Sequence, residues 1–266
     1  MGSKPSALVT NDDGIDSRFL RELVFALSKR FEVHVCAPDG ERSWIGHAIT
    51  RYDRLVPESV EAFDCPAWKV NGTPADCVNL ALGHLLPRRP EIVLSGINLG
   101  YNVTWPMILS SGTVGGALEG SLEGLAAVAV SMSLPPDQFD AIRESQGKVD
   151  GSLLSSLQIS AERAAEFAEQ LMEGPPEPGL VVHNLNFPED ANEDTSMMEV
   201  EPAQLRLGSL FAPDETGGYQ LHYRTEWLEK ANPDPNTDLA ALRVGQASHA
   251  RIDFSNLGSN NKQSVR

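Results

Sequence analysis

A short apolar run, Ala7-Leu8-Val9, that stops at Thr10-Asn11-Asp12-Asp13-Gly14-Ile15 constrains this chain more than any other segment. Asp16 to Arg30 then carries Phe19, Leu20, Leu23, Val24 and Leu27 at helical spacing. Phe31 to Ala37 is a second strand-like run, closed by Pro38-Asp39-Gly40. Strand, helix, strand over residues 6–37 predicts a βαβ unit with parallel strands. Ligands of open α/β sheets bind just beyond the carboxyl ends of the strands, and Asp12 and Asp13 stand at that edge. Adjacent side chains on a strand point to opposite faces. Both carboxylates therefore reach one ion only if the chain turns there, and Gly14 supplies the turn. Taken alone, Asn-Asp-Asp-Gly also suits an ordinary surface turn.

The remaining pattern continues the α/β alternation. Asp76 to Leu86 reads as a short helix, Glu91 to Ser95 as a buried strand, and Gly112 to Leu122 as a small-residue helix able to pack closely on a sheet. Ala126 to Met132 and Leu180 to Asn186 read as further strands, and residues 158–173 as an amphipathic helix. Pro135 to Ser152 is polar with no clear period and reads as a mobile loop. Two regions are expected: a core over residues 5–188 and a C-terminal extension over 189–266, with short strands or hairpins and a disordered last dozen residues.

Composition narrows the partners. With 266 residues, 41% hydrophobic and 22% charged, the chain has enough material for a sizeable core. Its formal charge of −16 argues against a nucleic-acid polymer, which needs a basic face. A phosphate substrate must instead meet a local cation or a helix N-terminus. No apolar run approaches a membrane span and the N-terminus shows no secretory h-region, so no membrane association is expected. Cys36, Cys65 and Cys77 lack metal-ligand spacing and fit buried free thiols of a reducing compartment, so a cytoplasmic location is expected.

Polar clusters follow the predicted strands. They are Asp12-Asp13, the segment from Asp39 through Glu41-Arg42-Ser43 to Gly46-His47, Ser95-Gly96-Ile97-Asn98 with Asn102, and Ser111-Gly112-Thr113 entering a helix. The first three can supply one metal site of hard oxygen ligands, suited to Mg2+ or Mn2+ rather than zinc. Such an ion keeps waters, one of which is a candidate nucleophile. The fourth suits phosphate, through hydroxyls, close backbone approach at Gly112 and a helix N-terminus. Each piece also has a plain reading. Ser-Gly-Thr caps helices, His47 and Arg42 suit structural or surface roles, and Tyr101 and Trp105 are either packing or base-stacking residues.

In this order, Asn11-Asp12-Asp13-Gly14, Ala37-Pro38-Asp39, Glu41-Arg42-Ser43, Gly46-His47, Gly72 to Val78, Ser95-Gly96-Ile97-Asn98 and Ser111-Gly112-Thr113-Val114 resemble the SurE, or survival protein E, family. The resemblance is strong over about residues 6–132. It continues faintly through Asn184-Leu185-Asn186-Phe187-Pro188 and Thr237-Asp238. It implies a three-layer αβα fold with a Rossmann-like, mixed and mostly parallel sheet, and a C-terminal arm exchanged between subunits of a homodimer or homotetramer. It also implies a metal-dependent acid phosphatase acting on nucleoside monophosphates, with one divalent cation, Mg2+ or Mn2+, per subunit. By that resemblance the metal ligands are Asp12, Asp13, Ser43 and Asn98, and the phosphate-binding residues are Asn102, Ser111, Gly112 and Thr113.

Two departures bear on the substrate. The family's Gly-Asp-Asp after the Asn102 position is absent, and the chain runs longer through Val103 to Ser110. Trp44 and Ile45 replace small residues between Ser43 and Gly46-His47. The pocket mouth is thus bulkier and less acidic, and an altered substrate preference is expected. The leading reading is a nucleotidase in which Asp12 and Asp13 are catalytic, with a water on the ion as nucleophile and Asp12 as its base. The alternative is a catalytically weak or inactive nucleotide- or phosphate-binding protein on the same scaffold. A dinucleotide-binding oxidoreductase is set aside, because Gly-x-Gly-x-x-Gly does not follow the first strand.

Overall fold

The computed structural model describes residues 4–222, 228 and 230–256. The first strand, β1 (Ser6–Thr10), is buried along its whole length, as a strand covered on both faces must be. Helix α1 (Arg18–Ser28) follows and turns Phe19, Leu20, Leu23, Val24 and Leu27 inward. The second strand, β2 (Glu32–Pro38), pairs parallel to β1 in the register Ala7 to Val33 and Val9 to Val35. The predicted βαβ unit is therefore present.

The chain then places β3 (Pro57–Ser59) and β4 (Ala67–Val70) outside β2, with β4 parallel to it and β3 antiparallel at the edge. Helix α2 (Pro74–Leu80) starts at a capping box in which Thr73 and Asp76 satisfy each other's backbone N–H groups. It runs on into a π turn over Ala81–Leu85. On the other side of β1 lies β5 (Ile92–Leu99), and the order reverses there. Short α3 (Thr104–Ser110) and α4 (Gly112–Leu122) lead to β6 (Ala126–Met132), parallel to β5.

The segment expected to be a loop is different. It contains α5 (Phe139–Glu144), and the amphipathic helix begins at residue 151 rather than 158, as α6 (Gly151–Glu173). Ile142, Leu157, Ala161, Ala164 and Ala168 join the core, so burial rather than local composition orders this stretch. Strand β7 (Val181–Phe187) then pairs parallel to β6.

Beyond residue 188 come β8 (Met197–Glu199), the hairpin strands β9 (Phe211–Pro213) and β10 (Tyr219–Leu221), α7 (Asp238–Arg243) and β11 (Ala247–Asp253). Strand β11 pairs antiparallel to β7 and carries β8 on its far side. Part of the region expected to be an extension thus completes the main sheet, and residue 188 is not the edge of that sheet. Strands β9 and β10 form a separate two-stranded sheet. The expected tail, from residue 257 onward, lies outside the described residues.

Among the described residues the main sheet has nine strands in the order β3-β4-β2-β1-β5-β6-β7-β11-β8. One face packs under α1 and α6 through Val9, Val35, Leu94, Val130 and Phe187. The other face packs under α2 and α4 through Leu8, Cys36, Val93, Ala127 and Ala129. The result is the three-layer αβα arrangement with a mixed, mostly parallel sheet. Cys36 and Cys77 are buried and Cys65 half-buried, all as free thiols. Among the described residues no helix is long and apolar enough to cross a membrane.

Candidate active site

The reversal of strand order between β1 and β5 opens a crevice at their carboxyl ends, which is where such sheets take ligands. Gly14, at φ +100°, turns the chain as soon as β1 ends. A side chain there would meet the backbone of Gly40 at 3.0 Å. The turn sends the two carboxylates to different neighbours. Asp12 Oδ1 accepts the Thr113 hydroxyl at 2.5 Å, and Asp13 Oδ2 accepts the Leu99 N–H at 3.1 Å. Strand β5 outruns its pairing with β1, which ends at Thr10 to Ser95, and so carries Asn98 into the same space. The Asn98 amide nitrogen is tied to the Gly100 carbonyl at 2.6 Å, which leaves Oδ1 as the atom that could hold a ligand.

Asp12, Ser43, Asn98, Asn102 and Ser111 line one cavity of about 430 Å³. Asp13, Gly112 and Thr113 do not line it. Thr113 spends its hydroxyl on Asp12 rather than facing the cavity. Gly112 lets α4 approach, since a Cβ there would lie 2.8 Å from Asp12 Cβ and 3.0 Å from the Arg42 carbonyl. Ser43 donates to Glu41 Oε1 at 2.8 Å. Ser111 caps α4 by accepting the Val114 N–H at 3.1 Å.

Burial lifts the Asp12 carboxyl to about 6, against the Thr113 hydrogen bond that lowers it. Asp13 is pushed well above the usual carboxylate range, first by burial and then by the charge of Asp12 beside it. The Arg42 backbone N–H donates to the Asp12 carbonyl at 2.7 Å, but its guanidinium goes to Asp39. Two neighbouring carboxylates, one buried and one half-buried, favour a cation or a proton beside them. By donor chemistry, these carboxylates and the oxygens of Ser43 and Asn98 are of the hard type that fits Mg2+ or Mn2+. Among the described residues no group of three His, Cys, Asp or Glu side chains is placed to hold a metal ion. The fit therefore rests on two acids, neutral oxygens and water.

Asn102 is buried in a frame of side chains from other strands. Its N–H donates to Asn186 Oδ1 at 2.7 Å, its amide to Ser131 Oγ at 2.9 Å, and its carbonyl accepts from Asn184 at 2.8 Å. Thr104 follows at φ +67°, its N–H held by Asp238 Oδ2 at 2.7 Å. A model described as Survival protein SurE matches residues 7–207. The chain belongs to the SurE family.

Its relatives include two proteins named 5'-nucleotidase SurE. The one from Pelotomaculum thermopropionicum is 44% identical over 254 residues, which cover 93% of this chain and 88% of that one. The one from Rhodopirellula baltica is 34% identical over 252 residues, covering 93% and 92%. The crystal structure of SurE protein from Aquifex aeolicus superposes with a TM-score of 0.72 at 27% identity, over 94% of this chain and 93% of that one. The faint SurE-like stretches identified in the sequence, around Asn184–Asn186 and Asp238, are the ones that hold the loop from Asn102 to Thr104. Of the two aromatic residues left open, Tyr101 lines the cavity, whereas Trp105 packs against the core cluster that contains Ile108, Val114 and Ala117. Phe139 also lines the cavity. No sequence signal marked it, because it sits in the stretch read as a loop.

Proposed function

We propose that the chain is a divalent-metal-dependent 5'-nucleotidase that hydrolyses nucleoside monophosphates to nucleoside and phosphate. The observation that carries this reading is the Asp12–Asp13 pair, a buried acid and its half-buried neighbour, with Asp12 lining a cavity that also reaches Ser111 at the N-terminus of α4. The names of the relatives support the same reaction class. Asp12, Asp13, Ser43 and Asn98 would hold one Mg2+ or Mn2+ per subunit. When bound, that ion supplies positive charge against the phosphoryl group and activates water.

The chain's own residues do the rest by position. The Ser111 hydroxyl, accepting from Val114, keeps its proton to donate to a phosphoryl oxygen. The first-turn N–H groups of α4, including those of Gly112 and Thr113, add their partial positive charge. Asn102 has a second amide N–H beyond the one given to Ser131. Thr113 fixes Asp12 at Oδ1 and so leaves Oδ2 to take a proton from the attacking water. Phosphoryl transfer depends mainly on such positioning and charge stabilisation. A homodimer or homotetramer acting in the cytoplasm belongs to the same reading.

Phosphate release from a panel of nucleoside monophosphates tests it. Release is expected to stop in EDTA and return with Mg2+ or Mn2+. The double variant Asp12→Asn, Asp13→Asn is expected to lose activity by at least about a hundredfold while staying folded. Unchanged metal-dependent release in that variant sinks the assignment. Saturable nucleotide binding without release under any metal favours the binding-only alternative, for which the longer segment now seen as α3 is the one specific observation.

A further inference from the structure

The cavity has a chemically mixed lining, to which Asp140 adds a second carboxylate. Asp12, Ser43, Asn98, Asn102 and Ser111 supply polar groups, and Trp44, Tyr101, Met107, Leu134 and Phe139 supply apolar surface. The apolar residues come from four separate places: the loop after β2, the loop after β5, α3, and the segment from β6 into α5. Phe139 is seated against the β5 loop, since a Cβ on Gly100 would lie 3.3 Å from its ring. A pocket of several hundred cubic ångströms with an apolar wall and a few convergent polar groups is the usual form of a small-molecule site.

Trp44 is the least expected member. Its backbone is at φ +58°, a left-handed conformation that bulky side chains rarely adopt. Both flanks are tied to residues that line the cavity. The Arg42 N–H donates to the Asp12 carbonyl at 2.7 Å, and the Gly46 N–H donates to the Ser110 carbonyl at 2.9 Å. His47 is further held by Glu119 at 2.6 Å. Such strain persists only where the surroundings over-determine it, and it clusters at ligand clamps. The same contacts hold the backbone that carries the indole.

We infer that Trp44, Tyr101 and Phe139 clamp the base of a purine nucleoside monophosphate, with Trp44 as a specificity-determining residue. The inference rests on the phosphomonoesterase reading of the polar lining residues. Stacking on an aromatic ring favours every base, and it grows with the overlapping area, so the two fused rings of a purine gain most. A base-free phosphate ester gains nothing from the clamp. The effect of one stacking residue is about tenfold or more in affinity.

The test compares kcat/KM for AMP, CMP and glycerol 3-phosphate with Mn2+ present, in the unmodified protein, Trp44→Ala and Trp44→Phe. The expected order is AMP over CMP over glycerol 3-phosphate. Trp44→Ala should lower the AMP to glycerol 3-phosphate ratio about tenfold, mainly through KM for AMP, and Trp44→Phe should keep most of it. Equal kcat/KM for AMP and glycerol 3-phosphate in the unmodified protein overturns the clamp, as does a ratio unmoved by Trp44→Ala. If no ester is hydrolysed under any metal, the nucleotidase reading has failed, and equilibrium dialysis of AMP then decides the clamp. Binding weakened about tenfold in Trp44→Ala supports it, and equal binding in the two proteins overturns it.

Discussion

Asp238 shows how far from the chemistry a single side chain can act. It is fully buried, and its carboxylate accepts the N–H groups of Thr104, Ala203 and Leu239 at 2.7, 2.9 and 2.7 Å. Asp238→Asn replaces one acceptor oxygen by a donor facing a buried N–H. It is expected to cost about 2 kcal/mol in a urea titration and to raise KM by loosening the segment that carries Asn102. A variant equal to the unmodified protein in both would remove Asp238 from the site's support. The sequence made the ligand-type residues legible because each is polar and stands where an apolar strand stops. Asp12, Asp13 and Asn98 are of this kind. It did not reveal partnerships across long sequence separations. Nothing local joins Thr113 to Asp12, or Asn102 to Asn186, and both pairs exist only once the strands are ordered. Nor did it reveal Phe139, whose neighbours in α5 bury only Ile142.

Helix α4 owes its place to its glycines. Gly112, Gly116 and Gly120 recur every four residues and so share one face. A Cβ at Gly116 would stand 2.9 Å from the Ser95 hydroxyl, and one at Gly120 would stand 2.6 Å from Val93 Cβ. The helix thus lies closer to β1 and β5 than ordinary side chains permit, and this proximity brings Thr113 within reach of Asp12. Gly120→Ala overpacks that contact, against the usual gain of alanine in a helix. A net destabilisation of about 1–3 kcal/mol is expected from chemical denaturation. A variant as stable as the unmodified protein would show that the helix can lift without cost. The composition of α4 announced close packing at the sequence level, whereas α6 hid its first turns. Its opening residues, Gly151 to Ser156, are rich in serine; the first two fall in the stretch read as a loop and the rest lie before the expected helix start at 158. Leu153, Leu154 and Leu157 nevertheless pack on the core, and tertiary burial overrides weak local preference.

At the scale of the whole molecule, the sheet joins sequence-distant halves, and one polar pair marks the seam. His183 on β7 and His249 on β11 meet at 2.9 Å between ring nitrogens, with Phe167 of α6 edge-on to both. Glu177 lies 3.4 Å from His183 and is paired with Arg251. Burial lowers both imidazoles, His249 to about 4, with the neighbouring His183 charge adding to it. Above pH 6.5 both folded and unfolded chains hold these rings neutral. As pH falls from 6.5 towards 4 the unfolded chain takes up protons that the folded one refuses, so stability falls. The loss attributable to His249 is at most about 3 kcal/mol. Urea midpoints at pH 7.5 and pH 5 are expected to differ less in His183→Gln, His249→Gln than in the unmodified protein. An equal drop in both would assign the acid sensitivity elsewhere. The same seam has a consequence for synthesis. Strand β7 is complete at residue 187, but its outer neighbour β11 is not made until residues 247–253. A chain growing at about 5–20 residues per second therefore spends some seconds on the ribosome with the hydrogen-bonding edge of β7 open. During that interval the nascent protein is most exposed to mispairing with its neighbours on the same message.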